Sequence, residues 1–104
     1  MAVSMIKTDY VPFTQVNSYI WYWRRNGVVT VKINGDNNFV INKNGVTIGT
    51  LPEGCRPPWQ TDFAGTARGG YAGVFFRVES NGTIQGFASE STSYWSGTFS
   101  FTPI

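Results

Sequence analysis

Residues 19–34 read YIWYWRRNGVVTVKIN. Two β-prone runs flank an Asn-Gly pair, and Asn-Gly tolerates positive φ at both central positions of a tight hairpin turn. In the second run Val29, Val31 and Ile33 share one face, while Thr30, Lys32 and Asn34 share the other. That is the period of a half-buried strand. The stretch is a β-hairpin, and the rest of the chain repeats the arrangement. VFFRVESNGTIQGF over residues 74–87 and FVINKNGVTIGTL over residues 39–51 also place Asn-Gly between strand-like runs. Three expected hairpins in so short a chain specify an all-β protein.

Alternation continues beyond the turns. Val74, Phe76 and Val78 oppose Phe75, Arg77 and Glu79. In the last run, YWSGTFSFTPI, the inward set is Trp95, Gly97, Phe99 and Phe101. No window sustains a helical period before Gly or Asn interrupts it. The expected fold is a small antiparallel β-barrel or sandwich of seven to eight short strands. A chain of 104 residues has room for one core. The expected organisation is an N-terminal lead segment over residues 1–17, joined to a shaft, and a β-barrel head over residues 18–104.

Charged residues make up 13% of the chain and hydrophobic residues 41%, which is the opposite of the disorder signature. The net charge of +2 comes from Lys and Arg scattered along the chain. A nucleic-acid binder concentrates such residues in a patch or stripe, so no nucleic-acid partner is expected. The single cysteine, Cys55, leaves no partner for an intrachain disulfide. No apolar run is long enough for a spanning helix, and the start lacks a secretory apolar core, so a soluble protein without membrane insertion is expected.

Much active-site chemistry is missing. With no histidine, Ser-His and Cys-His nucleophiles and the commonest metal ligand are ruled out. One cysteine cannot build a structural zinc site. No phosphate loop ending in Gly-Lys occurs. Six acids are present, but a glycosidase needs two converging across a cleft, and a barrel this small is filled by its own side chains. The expectation is a protein that is not an enzyme and carries no metal or cofactor.

Aromatic residues are the abundant resource. In YIWYWRR the side chains of Ile20 and Tyr22 fall on one face, and those of Tyr19, Trp21 and Trp23 on the other. Both faces are large and apolar. One covers the core, and the other marks a subunit contact. The second informative stretch is LPEGCRPPWQ, residues 51–60. Its prolines fix φ and remove backbone donors, so it is a rigid crossover and not a central strand. DFAGTA, residues 62–67, follows as a short strand. Arg56 offers donors to backbone carbonyls or an acid. Trp59, Tyr71 and Trp95 lie beside turn-rich segments, where a flat ring suits the C–H face of a sugar.

Leu51, Pro52, Gly54, Arg56 and Pro57 also carry a family resemblance. They match a Leu-Pro-x-Gly-aromatic-Arg-Pro motif, with Cys55 in place of the aromatic. The motif follows an aromatic strand, a turn and a Val-rich strand (YWRRNGVVTVKI). It precedes a further hairpin (VFFRVESNGTIQGF) and a final aromatic strand (YWSGTFSF). In this order the chain resembles the C-terminal head domains of tailed-phage and prophage tail-fibre receptor-binding proteins, over residues 18–104. The resemblance implies a β-barrel head in a virion tail, assembled as a homotrimer. It further implies noncovalent binding of host cell-surface polysaccharide or teichoic acid. On that reading the saccharide contacts expected from residue chemistry are Trp59, Asp62, Arg68, Tyr71, Glu90 and Trp95: aromatics to stack, acids to accept hydroxyls, Arg68 to pair with phosphate. A ligand-free structural cap of a fibre and a monomeric carbohydrate-binding module are the alternatives.

Overall fold

The computed structural model describes residues 10–36, 38–68 and 72–103. Among the described residues eight strands form one antiparallel sheet: β1 Val11–Gln15, β2 Ile20–Arg25, β3 Val28–Asn34, β4 Val46–Thr50, β5 Thr61–Ala67, β6 Val74–Val78, β7 Thr83–Ala88 and β8 Trp95–Phe101. Their spatial order is β1-β2-β3-β8-β5-β6-β7-β4. The fold is all-β, as expected. The expected lead segment contains β1, which pairs with β2 from Val11 opposite Arg24 to Gln15 opposite Trp21; residues 1–9 lie outside the described residues.

The first hairpin forms where Asn-Gly demands it. Arg25 pairs with Val28, and between them Asn26 and Gly27 take φ of 52° and 75°. The β6–β7 hairpin also forms, by a longer route. Its loop closes through Gly82 N donating to Glu79 O and Glu79 N donating to Thr83 O. The third expected hairpin is not made. Ile41 bridges Thr92 and Asn42 bridges Phe87, while β4 pairs with β7. The turn itself forms, with Gly45 N donating to Asn42 O at 3.3 Å, but the segments on either side pair with distant partners, and Ile41 is completely buried there.

The sheet curls into a half-barrel around one core. Ile20, Val29, Val31, Ile33, Phe76 and Trp95 are fully enclosed on its inner side. Strands β5 and β8 pair only at Thr66–Ser96 and Ala67–Trp95 before diverging. Across the gap Phe63 and Phe99 stack with centroids 4.2 Å apart. Side chains link the two halves of the curl: Asn17 Nδ2, between β1 and β2, donates to Ile48 O of β4 at 2.9 Å, and Arg24 Nη1 of β2 donates to Gly54 O after β4 at 2.6 Å.

The crossover after β4 is packed. Leu51, Cys55 and Pro57 are buried, while Pro52, Glu53 and Gly54 face solvent. Arg56 Nε donates to Leu51 O at 2.8 Å, Leu51 N donates to Gly82 O, and Gly54 provides the left-handed turn at φ 86°. The loop thus seals one end of the half-barrel over Tyr22 and Arg24.

Candidate functional site

Strand directions define two ends. Arg25, Phe101, Thr61 and Thr83 mark the near end, with Tyr10 packed against Arg25 there and Pro103 just past β8. The far end holds the finish of β5 and β7 and the start of β6 and β8. This polarity separates the expected saccharide residues. Trp59, 71% exposed, stands at the near end. Asp62 lies on the outer face near it, engaged by Arg77 at 2.9 and 3.3 Å. Arg68 and Glu90 are exposed at the far end. Tyr71 lies outside the described residues.

Trp95 is fully enclosed, as the alternation of the last run places it and against its expected role as a sugar contact. Its indole N donates to Phe39 O at 2.8 Å, and its ring meets Phe39 edge-on. No face remains for a ligand, because the start of β8 points this position into the core. Tyr19, expected at a subunit contact, also turns inward. Its ring lies 4.9 Å from Phe39 and 5.9 Å from Trp95, since it precedes β2 and escapes the strand's alternation. Trp21 and Trp23 are half-buried on the outer face, where Phe13 of β1 covers part of Trp23 at 5.4 Å.

A cleft at the far end gathers residues that sequence reasoning missed. A hollow of about 330 Å³ is lined by Asn42, Lys43, Asn44, Ser89, Glu90 and Ser91. Through Lys43 and Ser89 it joins a second hollow of about 600 Å³ over Phe75 and Phe87. These two rings sit opposite each other on β6 and β7 and stack in parallel, with centroids 4.7 Å apart and planes 3° apart. Arg77, fixed by Asp62, lies 4.9 Å from the Phe87 centroid and closes the near side of the pair. Gly45 backs Phe87 so closely that a Cβ there would overlap the ring.

Backbone bonds hold the cleft in shape. Ile41 and Thr92 exchange both N–H···O bonds at 2.9 Å. Ala88 N donates to Asn42 O, and Ser89 and Gly73 are doubly linked, Ser89 Oγ accepting from Gly73 N. Asn42 Oδ1 accepts from Asn44 N at 2.9 Å, a side-chain turn that presents Lys43 outward. Among the described residues neither Lys43 nor Glu90 has an ion-pair partner. The arrangement offers an apolar floor, amides and hydroxyls at the rim, and one charge of each sign. Of the expected residues only Glu90 lines it. The available signal was Phe75, an aromatic on the polar side of its strand's alternation.

Among the described residues no cluster of His, Cys, Asp or Glu is placed to hold a metal ion, and no helix is long and apolar enough to cross a membrane. No family model matches this chain, and no curated protein matches it.

Proposed function

We propose that this chain is the noncatalytic head domain of a phage tail fibre, and that it binds host cell-surface polysaccharide or teichoic acid through the far-end cleft. The supporting observation is the stacked Phe75–Phe87 floor, framed by Lys43, Glu90, Asn44 and two serines. Pyranose rings present C–H faces to such a floor and hydroxyls to such a rim. Glu90 is the one carboxylate among the lining residues, whereas glycoside hydrolysis uses two. The polarity of the domain agrees: a head joined to a shaft beyond Tyr10 meets its receptor with the opposite end.

The proposed assembly is a homotrimer in the virion tail, with Trp21, Trp23 and the 59% exposed Phe13 at the subunit contact. Three weak sites then act together by avidity. The test is light scattering after gel filtration, followed by binding to purified cell-wall polysaccharide of candidate hosts. A trimer that binds, and loses binding with Phe75→Ala, supports the proposal. A binding monomer would point to a carbohydrate-binding module, and a trimer that binds nothing to a structural cap.

A further inference from the structure

Among the described residues two that are not glycine take φ in the left-handed region, Asn26 at 52° and Tyr94 at 55°. Asn26 is explained by its hairpin turn. Tyr94 is not, because a bulky side chain is disfavoured in that region. Trp95 enters the core, while the Tyr94 ring is turned outward and 41% exposed. Flanking bonds hold the backbone there: Arg68 N donates to Tyr94 O, and Gly35 N donates to Trp95 O at 2.7 Å. Glycine or asparagine would satisfy this backbone more cheaply. What tyrosine adds is a ring beneath Arg68, whose guanidinium carbon lies 4.8 Å from its centroid.

We propose that Arg68 and Tyr94 form a subsite for the carboxylate of an acidic saccharide, an extension of the far-end surface that rests on the saccharide-binding reading. Arg68 is exposed, and among the described residues its guanidinium has no hydrogen-bond or ion-pair partner. The tyrosine ring lies beneath the guanidinium carbon of this exposed side chain. A planar carboxylate docks on the guanidinium edge in the plane of the fork. A phosphate, the group first expected opposite Arg68, can meet the same fork, so the two anions are set against each other in the test.

The test is calorimetric titration of the full chain with an oligogalacturonate, its carboxyl-reduced neutral counterpart, and poly(glycerol phosphate). The uronate is expected to bind about tenfold or more tighter than either control. Arg68→Gln removes the preference, and Arg68→Lys loses most of it despite keeping the charge. Tyr94→Gly weakens uronate binding while the melting temperature holds or rises, the mark of strain kept for a ligand. Equal or tighter binding of the phosphate polymer overturns the proposal. So does an unchanged preference in Arg68→Gln, or a Tyr94→Gly protein that melts earlier yet binds the uronate normally. Neutral saccharide binding that depends on Phe75, without uronate preference, would overturn this subsite and leave the saccharide reading standing. Binding of no saccharide at all would overturn both.

Discussion

The indole of Trp95 lies flat against the backbone of Gly35, so close that a Cβ at position 35 would overlap the six-membered ring. Gly35 follows β3 and donates its N–H to Trp95 O at 2.7 Å. The contact docks the start of β8 onto the end of β3 and seats the largest fully buried side chain of the core. Gly35→Ala must displace that ring, which is held by Phe39, Tyr19 and Phe76. Overpacking of this kind costs about 1–3 kcal/mol. Urea unfolding should show a lower midpoint with an unchanged slope. A midpoint equal to the parent's would mean that the Trp95 ring is free to move.

Gly27→Ala makes the complementary experiment. No atom lies within 4 Å of a Cβ there, but φ is 75°. The expected cost is about 1 kcal/mol and is purely conformational. Asparagine at position 27 should recover most of it, since Asn enters the left-handed region more readily. Failure of asparagine to outperform alanine in the same unfolding assay would exclude this account of the turn.

Alkaline stability should decline through two groups beneath the crossover loop. Burial pushes the Cys55 thiol above its ordinary value of 9.0, with the Arg24 charge pulling partly the other way. Burial, and then the charge of Cys55, pushes the Tyr22 phenol above 10.0, while a hydrogen bond from Thr14 opposes the rise. Each group ionises at lower pH in the unfolded chain than in the folded one. Their contribution is therefore complete below the unfolded values and is lost as pH rises through the folded ones. Unfolding midpoints should be flat at neutral pH and fall above 9.0, the ordinary thiol value. Cys55→Ala should flatten the first part of that fall. Consistent with its burial, the native thiol should react with aromatic disulfide reagents far more slowly than the urea-unfolded chain.

Two aromatic truncations should separate the ends of the domain. Trp59→Ala removes a ring that is 71% exposed at the near end, so stability should change by less than about 0.5 kcal/mol. Saccharide binding should be unaltered. Phe75→Ala removes half of the stacked pair at the far end. Glycan affinity should fall about tenfold, with a modest loss of stability from the missing ring contact. The reverse pattern, with binding lost in Trp59→Ala and kept in Phe75→Ala, would relocate the ligand to the near end.

Local pattern carried much of the architecture. The alternation of Val29, Val31 and Ile33, and of Val74, Phe76 and Val78, named core positions that are buried in the fold. Asn26 and Gly27 specified a turn that forms between neighbours in sequence. Asn44 and Gly45 offered the same signal, yet no hairpin formed. Ile41 found Thr92, and Asn42 O found Ala88 N, across more than forty residues. A turn motif states what the backbone tolerates; which strands pair depends on the apolar area buried when distant segments meet.

The candidate site was the least legible feature, for a related reason. Residue type singled out Trp59 and Trp95 alike, although the alternation of the last run already placed Trp95 inward; in the fold Trp59 faces solvent and Trp95 lies in the core. The cleft joins residues 42–44, 73–75 and 87–91, three segments that no spacing rule connects. By itself the sequence determined an all-β chain, its strand faces and its first hairpin turn, because those follow from backbone sterics and a period of two. Only the tertiary structure decided the strand order, the two ends and the residues that share a cleft. Those depend on long-range hydrogen bonds and packing that no local segment contains.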